Sequence, residues 1–239
     1  ENIGKRLLNQ SFDPRNQYSI PYFWGTLGIV YNTELVKTAP KHWSDLWRSE
    51  YKNSIMMIDG AREVMGVGLN ALGYSLNSKN TKQLQEAVDK LYTLTPNIKA
   101  IVADEMKGYM IQNNAAIGVS FSGEARQMLD KNPKLRYVVP PEASNLWFDN
   151  IVIPKTVKNK KAAYQFINFM LKPENAYKNA LYVGYSTPNV LAKAMLPKEV
   201  QEDRAFYPDE ETMKHLEVYQ QLGAKWLGIY NDLYLQVKM

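Results

Sequence analysis

The alternation of apolar and polar positions is clearest between residues 144 and 154, whose second half alternates as a half-buried strand does. Trp147 and Asp149 stand two positions apart, so their side chains leave an extended backbone on the same face. An aromatic wall beside an anion suits an organic cation, which is drawn to the carboxylate and to the negative face of the indole. The pattern leaves one alternative open, a strand that buries Trp147 in a core and leaves Asp149 in a turn.

Sheet-forming segments alternate with helical patterns along the rest of the chain, which is typical of an α/β fold. The β-branched and aromatic residues of 18–32 favour one long extended segment. The other predicted strands cover residues 52–58, 115–120 and 135–139. Helices are predicted over 61–72, 80–92, 106–112, from the turn at 121–124 to about 129, over 160–171, from Pro173 onward, and over 190–195, 210–222 and 224–235.

Two apolar patterns stand out in the first part of the fold. Phe12, next to the turn at 13–16, is expected to be a core anchor. The helix over 160–171 is expected to place Ala163, Phe166, Ile167 and Met170 on one face.

A strand, a short acidic turn and a helix follow one another from residue 52 to residue 72. In α/β folds, ligands bind beyond the carboxyl ends of the strands, where such turns lie. Glu63 stands in the first turn of this helix, where it is either a ligand contact or simply a favourable partner of the helix dipole.

Composition narrows the classes of function. The 239 residues are 45% hydrophobic and 22% charged, as in a folded globular protein long enough for two domains. Disulfide frameworks and thiol catalysis are excluded because the chain has no cysteine. Its two histidines, His42 and His215, have no metal-site spacing.

The positive residues that give the net charge of +5 are scattered along the chain, so the charge gives little support to an anion or nucleic-acid binder. No apolar window is long enough to span a bilayer, and residues 1–6 resemble no signal peptide.

Several stretches together resemble the bacterial spermidine/putrescine-binding proteins, the solute receptors of polyamine ABC transporters. They run in family order along nearly the whole chain, which makes the resemblance more specific than any single motif. The matching stretches are 18–25 (Tyr-Ser-Ile-Pro-Tyr-Phe-Trp-Gly), 44–47 (Ser-Asp-Leu-Trp), 59–64 (Asp-Gly-Ala-Arg-Glu-Val), 147–149 (Trp-Phe-Asp), 184–189 (Gly-Tyr-Ser-Thr-Pro-Asn) and 207–209 (Tyr-Pro-Asp).

The resemblance implies a type II periplasmic-binding-protein fold, in which two α/β lobes joined by crossing strands close on a ligand in a cleft. The first lobe is expected to comprise residues 1–28 and 149–190, and the second lobe residues 29–148 and 191–239. In this family a large part of the mature chain, forming most of the first lobe, precedes the residue that matches Glu1. The first lobe is therefore expected to be incomplete in this chain.

The resemblance also implies roles for individual residues. Glu63 is similar to the carboxylate that holds one end of the polyamine. Trp147 and Asp149 are similar to the aromatic wall and the central acid that takes an ammonium group. Tyr185 resembles a tyrosine of the cleft, and the stretch 18–25 contributes Trp24 as a further ligand-binding candidate.

At three positions the chain departs from the family pattern. Phe121 stands where tryptophan is common, which keeps the apolar wall and loses the indole donor. Gly60 stands where an acid is common, so Asp59 is expected to substitute for that acid or the contact is lost. Tyr219 stands where glutamine is usual.

The implied function is capture of a polyamine for an ABC importer, by a receptor that performs no reaction and uses no cofactor. Its expected partners are the polyamine and the permease subunits, with no nucleic acid, and the receptor is expected to be a monomer. The implied location is the periplasm or the outer face of the cell membrane, in the second case as a lipoprotein held by a lipid anchor.

Two alternatives remain at this point. One keeps the fold and changes the ligand to a sugar, iron or a thiamine-like cation. The other is a hydrolase that uses two carboxylates, such as Glu63 and Asp149.

Overall fold

The long strand β1 (Ser19–Asn32) organises the sheet in this computed structural model, which describes residues 2–238. Glu1 and Met239, at which the expected lobe ranges begin and end, lie outside the described residues. The other strands are β2 (Ile55–Ile58), β3 (Ile98–Val102), β4 (Ile117–Phe121), β5 (Leu135–Val138), β6 (Ser144–Val152) and β7 (Leu216–Glu217).

Helices alternate with these strands, so the predicted α/β class is confirmed. Short 3₁₀ turns lie at Lys5–Leu7, Trp43–Trp47, Ser49–Tyr51 and Thr95–Asn97. The α-helices are α1 (Ala61–Ala71), α2 (Thr81–Tyr92), α3 (Glu105–Ile111), α4 (Ser122–Lys131), α5 (Lys160–Met170), α6 (Pro173–Val183), α7 (Val190–Met195), α8 (Lys198–Gln201), α9 (Glu210–Lys214) and α10 (Ala224–Lys238).

The sheet is mixed, with the strand order β3-β2-β4-β1-β6-β7, and β5 also pairs with β1. The strands β2, β3 and β4 run parallel to one another, whereas β1 runs antiparallel to β4 and β5. Parallel neighbours end at the same edge of a sheet. The residues that follow β2 and β4 are therefore brought to one edge.

The chain divides into two compact units. Unit 1 contains the residues up to Gly25 and Trp147–Asp209, and unit 2 contains Thr26–Leu146 and the residues from Glu210 onward. Both β1 and β6 pass from one unit into the other. Unit 1 includes α7, which packs against α6, and continues to Asp209.

Unit 2 has a continuous apolar core beneath α1, α2 and α10. Asn80 begins α2 by accepting hydrogen bonds from the backbone amides of Lys82 and Gln83, which satisfies donors that a helix otherwise leaves free. The helical spacing of apolar residues then directs one face of each helix inward. Among the core residues that these helices contribute are Val64, Val67, Leu69, Leu84, Val88, Leu91, Tyr230 and Tyr234.

Unit 1 corrects the prediction that Phe12 is a core anchor. Phe12 is 44% exposed rather than buried, and its ring packs against the ring of Phe148 at 5.6 Å. Phe166 is 59% exposed, and α5 has no fully buried residue. Helical spacing selects the face that turns inward, but the amount of burial depends on which other segments reach that face. Within residues 2–238 the inward face of α5 is only partly covered.

The predicted helix over 210–222 is also wrong in its second half. The helix α9 ends at Lys214, and Leu216 and Glu217 instead pair in parallel with the start of β6. The Glu217 side chain accepts hydrogen bonds from the backbone amide of Leu76 and from Asn77. These long-range partners override the local helical pattern and leave Tyr219 in an extended segment.

We predict that Gly28→Ala destabilises the fold, because a Cβ at this position of β1 would lie 2.5 Å from the backbone oxygen of Val138 and 2.6 Å from the Tyr137 ring. Overpacking against a backbone atom costs about 1–3 kcal/mol. Chemical denaturation should show a lower midpoint. The matched control is Gly228→Ala in α10, where no neighbouring atom lies within 4 Å and stability should be unchanged or slightly higher. Equal midpoints for both variants would contradict the close approach at Gly28.

Candidate functional site

Trp147 and Asp149 both lie within β6, and the alternation of the strand directs their side chains to one face, as the sequence predicts. Trp147 is half-buried and Asp149 is exposed. The Trp147 ring meets the ring of Tyr185 edge-on, with centroids 5.3 Å apart and planes at 70°. This geometry differs from the alternative in which Trp147 is core and Asp149 lies in a turn.

Tyr185 is held beside Trp147 by the end of α6. Gly184 ends this helix in the left-handed conformation, with φ of 82°, which glycine adopts without the strain of a side chain. The next residue, Ser186, is fixed by the backbone amide of Trp24, which donates to its carbonyl oxygen at 3.1 Å. On its other side, Tyr185 packs edge-on against Phe23 at 5.6 Å. We call Phe23, Tyr185 and Trp147 the aromatic wall of unit 1.

Trp24 lies behind this loop and is only 5% exposed. Its indole nitrogen donates to the carbonyl oxygen of Thr187 at 3.2 Å, and its ring packs edge-on against Tyr207 at 6.0 Å. The indole N–H of Trp24 is thus already hydrogen-bonded within unit 1. These contacts stabilise the loop that carries Tyr185.

The Asp149 side chain makes no hydrogen bond or ion pair with any residue between 2 and 238, although its neighbours partly desolvate it. This partial burial raises the pKa of Asp149 above the ordinary aspartate value. A carboxylate without an internal partner beside an aromatic wall can accept a cation, whose charge would offset the desolvation.

In unit 2, Glu63 lies in the first turn of α1 and is half-buried. Burial raises the pKa of the Glu63 carboxyl, while its own backbone amide, the Tyr219 hydroxyl and the charge of Arg62 act in the opposite direction. Glu63 is therefore more than a partner of the helix dipole, because a side chain from the far end of the sequence also contacts it.

Tyr219 reaches Glu63 from the extended segment after β7, and its hydroxyl oxygen is buried with no well-aligned hydrogen bond of its own. Burial, followed by the charge of Glu63, raises the pKa of Tyr219 well above that of a free tyrosine. The Arg62 guanidinium lies 4.4 Å from the centroid of the Tyr219 ring and 5.0 Å from that of Tyr230. Arg62 also donates to Asn77 Oδ1 at 2.8 Å, which fixes the guanidinium.

Asp59 follows β2 but already has partners in unit 2. Lys238 Nζ lies 2.7 Å from one carboxylate oxygen of Asp59, and the Tyr234 hydroxyl donates to the other. These two hydrogen bonds lower the pKa of Asp59. The carboxylate thereby fastens the end of α10 to the end of β2.

Phe121, at the end of β4, lines a cavity of about 240 Å³ that opens at the shared edge of β2 and β4. This confirms that the two strand-to-helix turns meet, as expected for parallel neighbours. Apolar side chains, three acids and one lysine line the cavity together. Its lining consists of Ile58, Asp59, Ala103, Asp104, Met106, Lys107, Ser120, Phe121 and Glu124.

Sequence reasoning missed Arg62 and the acids Asp104 and Glu124. One signal for Arg62 was available, because a cation in the first turn of a helix opposes the helix dipole and so suggests a specific partner. Glu124 stands in a turn that the sequence identified, but its approach to Asp59 depends on the order of the strands.

Two negative findings concern residues 2–238 only. No helix in this range combines the length and apolar character required to cross a bilayer. Across the same residues, His, Asp and Glu form no cluster that could hold a metal ion.

Comparison with known proteins gives consistent matches along the chain. The pattern of the bacterial extracellular solute-binding protein family matches residues 3–208. The spermidine/putrescine-binding periplasmic protein of Escherichia coli (strain K12) is 38% identical over 240 residues, which cover 99% of this chain and 68% of that protein.

Two solved structures extend the likeness to three dimensions. The spermidine/putrescine ABC transporter substrate-binding protein from Streptococcus pneumoniae is 75% identical, with a TM-score of 0.96, over 100% of this chain and 74% of that one. A chain from Listeria monocytogenes is 56% identical, with a TM-score of 0.92 and the same coverage.

We predict that Lys238→Met lowers stability at neutral pH by a few tenths to ~1 kcal/mol, since both partners of the pair are partly exposed. The pKa of Asp59 is lowered in the fold, so the stabilisation is present above the unfolded pKa and is lost as the pH falls through the folded pKa. Thermal unfolding between pH 7 and pH 3 should therefore show the two proteins converging in acid. Lys225→Met, on the same helix, is the control. A difference that persists unchanged at low pH would rule out the ion pair as its source.

Proposed function

Because the chain belongs to the bacterial extracellular solute-binding protein family, we propose that it captures a polyamine, spermidine or putrescine, for an ABC importer. The single observation that carries the proposal is the unpartnered Asp149 on the same strand face as Trp147, next to Tyr185. Relatives described as spermidine/putrescine-binding proteins support this choice of ligand.

The chemistry of a polyamine fits this combination of groups. Such a molecule is a chain of methylenes with ammonium groups at intervals, so it needs apolar surfaces and separate anions. A cation against an aromatic face contributes roughly 0.5–2 kcal/mol, and a hydrogen bond to a charged group roughly 1.5–3 kcal/mol. Several such contacts, less the costs of ordering and desolvation, are sufficient for micromolar affinity.

Glu63 is the second carboxylate of the proposal, and it belongs to unit 2. A diamine binds more tightly to a protein conformation in which both of its ammonium groups are paired with carboxylates. Ligand binding changes a conformational equilibrium only through such differential affinity. A permease can then distinguish the loaded receptor from the empty one.

Capture of this kind requires no bond to be made or broken, so the proposal includes no catalytic residue and no cofactor. The receptor acts as a monomer outside the cytoplasmic membrane, where its relatives are periplasmic. Its partners are the polyamine and the permease of the transporter.

We predict that Asp149→Asn weakens spermidine binding by tenfold or more, because it removes a charge-assisted hydrogen bond worth roughly 1.5–3 kcal/mol. Phe121→Leu, which keeps an apolar side chain, should cost clearly less. Isothermal titration calorimetry of both variants and the parent measures the difference. Equal losses would remove Asp149 from the role of central anchor.

A thermal-shift panel tests the class of ligand. Spermidine and putrescine should stabilise the protein, while neutral sugars and ferric ion should not, because neither provides an ammonium group for Asp149. Stabilisation by a sugar and not by the amines would overturn the proposal in favour of another solute on the same fold.

We further predict that affinity for putrescine falls as the pH is lowered from 7.5 towards 5. Burial raises the pKa of both Asp149 and Glu63, so these carboxyls begin to protonate above the range of about 4 that is usual for exposed acids. A protonated acid cannot pair with an ammonium, and binding in mild acid should therefore release protons. Calorimetry in buffers of different ionisation enthalpy detects that release. A constant affinity down to pH 5 would contradict the assignment of these two acids.

A further inference from the structure

The Glu63 carboxyl lies folded back against Gly60, the residue that precedes α1. If a Cβ is built on Gly60, it overlaps the Oε2 atom of Glu63 and lies 3.0 Å from Cδ and 3.5 Å from Cγ of the same side chain. These are the three nearest atoms to that Cβ, and all belong to Glu63. The observed orientation of Glu63 therefore exists only while position 60 has no side chain.

The backbone of Gly60 does not itself require glycine. Its φ of −166° and ψ of 127° are extended values that any residue adopts. Its carbonyl oxygen accepts the first hydrogen bond of α1, from the backbone amide of Val64 at 2.9 Å, and a methyl group on Cα leaves this bond intact. The absence of a side chain thus matters for Glu63 and not for the fold.

Tyr219 closes the other side of the Glu63 carboxyl. Its ring is held by the Arg62 guanidinium, and the backbone amide of the next residue, Gln220, donates to Asn77 Oδ1 at 2.8 Å. Because Arg62 donates to the same Asn77 oxygen, one amide side chain fixes both the guanidinium and the segment that carries Tyr219. The Tyr219 hydroxyl is therefore presented to Glu63 by a braced ring.

We infer that Gly60 and Tyr219 are positioning residues, which together hold the Glu63 carboxyl in the one orientation that receives an ammonium group. This inference rests on the proposed function, since it specifies how one end of the amine is recognised. Gly60 acts by leaving space, and Tyr219 acts by directing its hydroxyl at the carboxyl. Neither residue needs to touch the ligand for its loss to weaken binding.

The binding test is a double-mutant cycle with spermidine, measured by calorimetry on Gly60→Ala, Glu63→Ala, the double variant and the parent. Gly60→Ala should weaken binding about tenfold, the equivalent of one charge-assisted hydrogen bond. In the Glu63→Ala background the same change should have no further effect, because the side chain that it displaces is gone. Thermal midpoints of the parent and Gly60→Ala should agree, which separates positioning from loss of structure.

A second measurement needs no ligand. The charged and titratable groups that act on Glu63 are Arg62 and Tyr219, and Tyr234 also senses its charge. Carboxyl NMR should show that Gly60→Ala lowers the pKa of Glu63, because the group moves from a buried position towards water. Tyr219→Phe should raise the pKa of Glu63, because it removes the hydroxyl dipole that favours the ionised carboxylate.

The outcomes separate the inference from the proposed function. Parent-like spermidine affinity in Gly60→Ala, or an equal loss in the Glu63→Ala background, would overturn the positioning role even if Asp149→Asn abolishes binding. If the parent binds no polyamine, the proposed function fails, and the NMR titration alone decides the inference. Opposite shifts in the two variants support it, and unchanged or parallel shifts overturn it.

Discussion

The cost of removing a carboxylate from water governs the arrangement of unit 2. A buried acid must find polar or charged partners or else take up a proton. Glu63 meets this requirement with its own backbone amide, the Tyr219 hydroxyl and the charge of Arg62. Asp59 is more exposed and pairs with Lys238 and Tyr234. These pairings draw the segment after β7 and the end of α10 onto the helix and strand ends near residue 60. The C-terminal segments after β7 therefore supply the partners of the two acids that lie near residue 60.

The corresponding acid of unit 1, Asp149, lies in a different environment. Asp149 stands on an open strand face beside the aromatic wall and has no partner within residues 2–238, so its electrostatic requirement is left to a ligand. The wall itself is rigid, since Gly184 fixes the turn and the backbone of Trp24 fixes Ser186. One unit thus presents an acid already braced by internal contacts, and the other presents an acid that is free.

Sequence periodicity predicted the position of a strand or helix most reliably where the residues of that element alone favour it. The long strand β1, the helices α1 and α2, and the strand that carries Trp147 and Asp149 all lie where the patterns predict them. The predictions were wrong where distant segments decide. Phe12 was expected in the core but is exposed. The predicted helix over 210–222 ends early, because residues 216–217 pair with β6 and Glu217 accepts a hydrogen bond from Leu76.

The sequence by itself determined the α/β class, the same-face pairing of Trp147 and Asp149, and the placement of Glu63 in a first helical turn, because these follow from residues close to one another along the chain. Only the tertiary structure decided that Glu63 folds onto Gly60, that Tyr219 reaches it, and that Lys238 takes Asp59 as its partner. Each of these last two pairings joins residues far apart in sequence through the order of strands. Local patterns carry no information about which distant side chain will contact an acid. The burial of Glu63, its pKa and the pairing of Asp59 with Lys238 were therefore decided only by tertiary packing.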